Sequence, residues 1–181
     1  MLKSMTTLAI AFVMVTAGCT SVPRTEEERS ALRENAEATL KRFVAEDPGL
    51  DDLLDRSHAY AVFPEVGKGG AIVGGAWGQG AVYENGNFIG YSELTQATVG
   101  AQLGGQSFAE LIVFESEDAL DRFKLGKTAF AANASAVAIK AGASAQARFQ
   151  DGVAVFTQPN GGLMFEAAIG GQKFTFTAVE D

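Results

Sequence analysis

Glycine beside lysine is the pattern in this chain that most suggests chemistry, because such loops cradle phosphate groups in many proteins. Gly126-Lys127-Thr128 has the residues that end a P-loop, but Asp121 stands where that motif needs its first glycine. Gly67-Lys68-Gly69-Gly70 lacks a dinucleotide fingerprint, because Ile72 occupies the place of the third glycine. The standard phosphate loops are therefore excluded, and an anion-binding nest of backbone N–H groups beside Lys68 stays open as an alternative.

Metal and nucleophilic chemistry find little support in the remaining residues. His58 is the only histidine and Cys19 the only cysteine, and neither an EF-hand loop nor a G-x-S-x-G elbow occurs. Glu115 and Glu117 flank the start of a predicted helix, where carboxylates are commonly solvated. We predict a non-catalytic protein with no metal and no cofactor, in which His58 has a structural or helix-end role.

The distribution of glycine restricts the elements that can position these residues. Nineteen of the 21 glycines lie between Gly67 and Gly171, and 47% of all residues are hydrophobic. No Gly-X-Y period is present, and the apolar content is too high for a disordered linker. Glycine inside a helix costs about 1 kcal/mol relative to alanine, which disfavours a helical bundle. The length suits one domain with a substantial core.

Helices are predicted before the glycine-rich region. Thr25 and Glu28 form a capping box, and an apolar stripe at helical spacing predicts a helix from Glu26 to about Ala45. A second short helix should cover about 50–56. The first helix could lie on a membrane or pack on a sheet. Residues 24–56 hold six cations and ten anions, and this acidic balance favours packing, since membrane-surface helices are normally basic.

From residue 59 onward the pattern predicts strands. Asn85-Gly86 is a strong hairpin signal, and Ser116 should begin a short central helix that ends at Gly126. Alternation favours a strand over a helix for 130–139. Short strands are expected at 59–63, 72–83, 88–94, 97–103, 106–114, 130–139, 143–150, 153–157, 163–169 and 173–179. The predicted class is α+β, with a curved antiparallel sheet or barrel-like domain, N-terminal helices and one central short helix.

The N-terminus has the layout of a secretory signal peptide, with Lys3, an apolar run from Leu8 to Val15, and small residues before Cys19. It resembles a bacterial lipoprotein signal, which implies removal of residues 1–18, lipidation of Cys19 and a lipidated tether at 19–25. Thr20 after the cysteine implies sorting to the outer membrane. The alternative is a soluble secreted protein cut at a nearby site. Loss of Lys3 takes the net charge from −8 to −9.

Motifs across residues 31–181 resemble the SYLF domain family, and we expect that domain over 26–181. The opening motifs are Ala59-Tyr60-Ala61-Val62-Phe63-Pro64, Gly67-Lys68-Gly69-Gly70 and Val73-Gly74-Gly75. Later motifs are Gly90-Tyr91, Leu94-Thr95-Gln96, Gln102-Leu103-Gly104-Gly105-Gln106, Leu120-Asp121-Arg122-Phe123-Lys124, Gly152-Val153-Ala154-Val155-Phe156, Gly161-Gly162-Leu163-Met164-Phe165-Glu166 and Gly170-Gly171-Gln172-Lys173-Phe174.

The resemblance implies a lipid-binding module, here an envelope lipoprotein that binds phospholipid or another amphiphile and faces the periplasm. Candidate headgroup contacts are Lys68, Gly69, Gly70, Lys124 and Lys127, although each lysine could equally be a solubilising surface residue. Actin, which some eukaryotic members bind, is not expected as a partner. Nucleic acid is not expected either, because the chain is acidic without a basic stripe. The alternatives are a structural or protein-interaction module of the envelope that uses the membrane only as an anchor, and an enzyme acting on envelope polymers.

Overall fold

The computed structural model describes residues 23–131 and 136–179. The predicted signal segment 1–18, Cys19 and most of the tether 19–25 lie outside these residues. Helices are α1 (Glu26–Glu46), α2 (Gly49–Asp55) and α3 (Glu117–Lys124). Strands are β1 (Ala59–Glu84), β2 (Asn87–Phe114), β3 (Ala129–Ala131), β4 (Ala136–Ala138) and β5 (Val153–Ala178), and a 3₁₀ turn covers Ser144–Gln146. The predicted α+β class is confirmed.

The predicted helix boundaries are confirmed within two residues. The Thr25 hydroxyl accepts from the Glu28 N–H at 3.1 Å, and the Glu28 carboxylate accepts from the Thr25 N–H at 3.2 Å. Helix α1 buries Phe43 in a cluster with Val62 and Leu111, so the packing interpretation of this helix is confirmed. Helix α3 ends in a Schellman turn, with Gly126 at φ +64°.

Three strands of 26 to 28 residues replace most of the short strands that the sequence predicts. The strand ends predicted before Gly67–Gly70 and before Pro159–Gly162 are wrong, because the chain stays paired through both segments. Register shifts at Phe63/Val66, Ala71/Val73 and Ser107/Phe108 bend the strands without ending them. Glycine here marks bends inside strands, and the sequence pattern does not distinguish such a bend from a turn.

The long strands double back on themselves. A Cβ on Gly78 would lie 2.7 Å from the Glu65 carbonyl oxygen, and one on Gly80 would lie 2.7 Å from the Val62 oxygen. We call 59–70, 103–114 and 153–165 the first arm of the sheet, and 73–84, 87–99 and 169–178 the second arm. The bend comprises 71–73 of β1 and 99–103 of β2. The two arms face each other across a shared interior.

Two apolar clusters stabilise this arrangement. Between the arms, Phe63, Phe114 and Phe174 pack with residues of α3, where Phe123 lies 4.8 Å from the Phe114 ring centroid. On the other face of the first arm, α1 and α2 cover a second cluster that includes Phe156. The apolar interior therefore lies at the end of the arms that is remote from the bend.

The expectation of an entirely antiparallel sheet is corrected by β4, which pairs in parallel with β5. The hydrogen-bonded order is β1-β2-β5-β3, with β4 also on β5, and the sheet does not close. In the predicted strand 130–139 the described ends are extended, and residues 132–135 lie outside the described part. The hairpin prediction is confirmed, since Asn85 and Gly86 have φ of 49° and 78°.

The strand predicted at 143–150 is wrong. This segment is a turn with a 3₁₀ helix, held by the buried Asp47 carboxylate. Asp47 accepts from the backbone N–H groups of Ser144 at 2.6 Å, Gly142 at 3.2 Å and Gly49 at 3.2 Å. Alanine-rich alternation alone gave no indication of this distant carboxylate, which accepts from the N–H groups of Gly142 and Ser144.

Candidate functional site

The lysines predicted as headgroup contacts are not gathered at one place. Lys124 lies at the end of α3, where its Nζ is 3.4 Å from Glu84 Oε2. Glu84 Oε1 is 2.8 Å from His58 Nε2, so His58 has the structural role that the sequence predicts. Burial raises the pKa of Glu84, but the His58 hydrogen bond and the Lys124 charge outweigh it and leave that pKa lowered. Lys124 thus belongs to an ion-paired cluster at the hairpin end.

Lys68 lies in a different part of the sheet. It is 8% exposed in β1, paired with Gln106, and lies nine residues beyond the start of the strand, about 30 Å along it. Gly69 and Gly70 are also in the strand, and neither has a positive φ. These glycines do not supply the left-handed residue that a nest needs, so the anion nest beside Lys68 stays a prediction. Lys127 is exposed beyond α3. Headgroup contact by these residues stays a prediction.

An exposed apolar tip lies at the bend. Its members are Ile72, Val73, Val99 and Leu103, each between 63% and 72% exposed. Val73 and Val99 are directly paired across β1 and β2. Ile72 has a φ of +69°, a conformation that a β-branched residue adopts only with strain. The chain thus carries a strained, solvent-exposed isoleucine at the end of a doubled sheet, next to three further aliphatic side chains.

A row of amphipathic residues crosses the outer face of the second arm behind this tip. Trp77 pairs with Thr95, and Thr95 pairs with Lys173 on β5. Trp77, the only tryptophan in the chain, is 48% exposed, and Lys173 is exposed as well. Four residues separate Val73 from Trp77, about 13 Å along the strand. Tryptophan and lysine at that distance from an apolar tip are typical of the boundary between hydrocarbon and headgroups in a bilayer.

Acidic residues are concentrated in α1 and α2 and are sparse in the strand segments nearest the bend. Helices α1 and α2 carry six and three acidic residues respectively. The segments that form the bend and the adjoining sheet, 66–83, 94–109 and 158–178, contain a single acidic residue, Glu166, and two lysines, Lys68 and Lys173. The net charge of −8 therefore lies mostly away from the tip, and it does not oppose contact between the tip and an anionic surface over short distances.

Beneath the tip, the interior between the arms becomes polar. Glu110 is 1% exposed, and its Oε2 accepts from Gln172 Nε2 at 2.9 Å. Gln96 and Thr98 are buried on the facing arm, and Lys68 lies on the interior face of β1, two residues beyond the buried Val66. Burial raises the pKa of Glu110 to about 7, against the lowering effect of the Gln172 hydrogen bond.

A cavity of about 650 Å³ lies between α1 and β1. Leu32 and Arg42 line it from the helix, and Pro64, Glu65 and Trp77 line it from the strand. Its volume falls in the range of small-molecule sites. Trp77 thus belongs both to the row behind the tip and to the lining of a cavity beside α1.

Metal-binding groups and membrane-spanning helices are both absent from the part of the chain that the structure describes. Within 23–131 and 136–179, no group of three or more His, Cys, Asp or Glu side chains is placed to hold a metal ion. No described helix combines the length and apolar character needed to cross a bilayer.

The tip and the row behind it were missed by the sequence predictions. Their one signal in the sequence is an aliphatic pair, Ile72-Val73, between two glycine pairs, Gly69-Gly70 and Gly74-Gly75. Alternation in the sequence predicts short strands. Neither the exposure of the tip residues nor the bend between the arms follows from it. Lys173 was read only as part of a strand and motif.

No protein-family model matches the chain. The chain is similar to Beta cell expansion factor A of Aeromonas veronii, with 29% identity over 154 residues. The aligned region covers 84% of this chain and 59% of that protein. The chain thus spans less than two thirds of the length of this relative.

Proposed function

We propose that this protein is a SYLF-type envelope lipoprotein that binds phospholipid or another amphiphile at the membrane surface, without catalysis. The apolar tip at the bend carries the proposal, because four neighbouring aliphatic side chains that are each at least 63% exposed are unfavourable in water. The doubled sheet acts in this proposal as a barrel-like scaffold that presents the tip. Cys19 anchors the chain in the outer membrane, facing the periplasm.

The energetics of tip insertion are adequate for reversible binding. Burying a Leu, Ile or Val side chain completely contributes about 1.5–3 kcal/mol, and the tip residues begin 63% to 72% exposed. Insertion of all four side chains would contribute several kcal/mol, before the cost of association. A lipid anchor at Cys19 would add to this by holding the tip near the bilayer.

Vesicle flotation tests the proposal. The full chain carrying Cys19→Ala is mixed with phosphatidylcholine vesicles, alone and with added phosphatidylglycerol, and compared with the same chain carrying Val99→Ser and Leu103→Ser. We expect the double substitution to lower the partition coefficient at least about tenfold, since it removes two of the four inserting side chains. Leu125→Ser is the matched control, because Leu125 is 66% exposed but lies beyond α3, away from the bend.

Equal flotation of the parent and the tip variant would contradict the proposal. Failure of both to float, with capture of one reproducible envelope protein by cross-linking at the tip, would instead support the protein-interaction module. The shared N-terminal segment contributes equally to every variant, so differences between them report the tip.

A further inference from the structure

Glu110 is a buried link between the two arms of the sheet. It lies on β2 in the first arm, opposite Phe63 of β1 and Thr157 of β5. Its partner Gln172 lies on β5 in the second arm, so their 2.9 Å hydrogen bond crosses the interior. This contact joins the arms at the level where the apolar core gives way to polar residues, on the side toward the bend.

The polar atoms around this link are only partly satisfied by hydrogen bonds. Glu110 Oε1 and Gln96 Nε2 are both buried, and neither has a hydrogen-bond partner among the described residues. Gln96 pairs with Gln172 in the register of β2 and β5, so the two amides lie side by side on the second arm, opposite the carboxyl. A carboxylate needs more donors than the single one it receives here, whereas a neutral carboxyl needs fewer.

Few charges face this carboxyl. Lys68 on the interior face of β1 is the cation nearest in register, five residues beyond Phe63. Glu93 of β2 and Lys173 of β5 belong to the outward-facing positions of the second arm, next to Ser92 and Gln172, which face inward. Burial is therefore the dominant influence on Glu110, and ionisation must be accompanied by hydration of the interior.

We propose that Glu110 is a proton-controlled latch between the two arms, which closes the doubled sheet when neutral and loosens it near the bend when ionised. The strands of the latch continue directly into the tip, since Leu103 is seven residues from Glu110 on β2. Loosening therefore frees the tip residues to change their exposure. The effect on membrane contact rests on the proposed function, whereas the latch itself does not.

The size of the pH effect follows from the thermodynamic linkage between proton binding by Glu110 and opening of the sheet. A carboxyl with a pKa of about 7 in the closed sheet and 4.5 in water favours an opened state about tenfold more at about pH 8.5 than at about pH 6. Replacement by the isosteric amide in Glu110→Gln removes the ionisation and keeps a group that can bond to Gln172. The variant should therefore stay closed at both pH values.

Hydrogen exchange measured by mass spectrometry tests the latch without lipid. The full chain is compared with Glu110→Gln and with the control Glu115→Gln, whose exposed carboxyl lies outside the sheet. After correction for intrinsic exchange, we expect peptides covering 94–98 and 106–112 to exchange about tenfold faster at the higher pH in the parent and in the control. Glu110→Gln should show no such increase. An equal increase in Glu110→Gln, or none in the parent, would overturn the proposal.

Two further measurements keep the outcome decisive. The infrared C=O stretch of a protonated carboxyl should vanish between about pH 6 and 8.5 in the parent, which needs no variant to fold. Persistence of this band at about pH 8.5, or its absence at both pH values, would refute the latch. Flotation on phosphatidylcholine vesicles at both pH values then separates the two ideas. If the parent and the tip variant float equally at both pH values, while hydrogen exchange of the parent still depends on pH, the proposed function is refuted and the latch is not.

Discussion

Val73 of β1 lies directly opposite Val99 of β2, and both side chains project into solvent instead of a core. Cross-strand valine pairs normally stabilise a sheet through the surface they bury together. This pair stands at the bend of a doubled sheet. Its position connects the fold to the membrane surface that we propose as the partner.

The functional and structural roles of Ile72 can be tested separately, because relief of its backbone strain and loss of its apolar surface affect different measurements. Asparagine tolerates a positive φ better than isoleucine, so Ile72→Asn should raise the free energy of unfolding by about 1 kcal/mol. The same change removes apolar surface and should weaken vesicle binding. Val73→Asn removes similar surface without relieving strain, so it should weaken binding with no gain in stability. Urea unfolding and flotation measure the two effects, and a destabilised Ile72→Asn would argue against stored strain.

Trp77 should report contact with lipid directly. It is the only tryptophan and is half-exposed, so its emission should shift to shorter wavelength when vesicles are added. Lys173 lies in the same row and offers a cation to anionic headgroups, so Lys173→Gln should lower binding to vesicles containing phosphatidylglycerol by a few-fold, about 1 kcal/mol per charge. Binding to phosphatidylcholine should change little. Lys140→Gln, at an exposed position after β4, is the control, and an equal loss from it would place the contact elsewhere.

The close approach of the arms at Gly78 can be tested with one methyl group. A Cβ there would lie 2.7 Å from the Glu65 oxygen and 2.9 Å from a Val66 methyl carbon. Gly78→Ala should therefore lower the free energy of unfolding by about 1–3 kcal/mol. A Cβ at Gly67, on the same strand, would meet nothing within 4 Å. Gly67→Ala should be neutral or slightly stabilising, and equal effects at both sites in denaturant unfolding would contradict the doubled sheet.

The burial of Glu110 should make stability depend on pH in an unusual direction. Because the folded state holds this proton up to a pKa of about 7 and the unfolded state releases it near 4.5, stability should fall as pH rises between these values. The loss from this group is about 3 kcal/mol and is complete above about pH 8. In Glu110→Gln this decline should be absent, so the variant should be more stable than the parent at alkaline pH. Urea unfolding across the range checks it.

Asp47 should show the opposite dependence. Burial alone would raise the pKa of Asp47, but the N–H groups of Ser144, Gly142 and Gly49 outweigh it and hold that pKa low. Its contribution is present above the unfolded value and is lost as pH falls through the folded one. Asp47→Asn should cost about 2–3 kcal/mol at neutral pH, because it replaces charge-assisted hydrogen bonds. Asp51→Asn, an exposed neighbour, should be neutral in the same unfolding assay.

Local signals in the sequence determined the elements that depend on near neighbours. The Thr25–Glu28 capping box began α1, Asn85-Gly86 formed the hairpin, and Gly126 ended α3, because each rests on hydrogen bonds and φ angles within a few residues. The predicted signal segment and Cys19 also come from local pattern, and they stay predictions because they lie outside the described residues.

Only the tertiary structure decided how the strands continue and what covers them. Gly67–Gly70 lies between two predicted strands, yet in the structure it continues one strand whose second half packs against its first. Periodicity assigns residues to faces, and it does not say that the face of Glu110 is sealed by Gln172 from another strand while Val99 stays bare. Burial depends on contacts between residues that are distant in the chain, such as Glu110 and Gln172, which are 62 positions apart, and a one-dimensional pattern contains no such information.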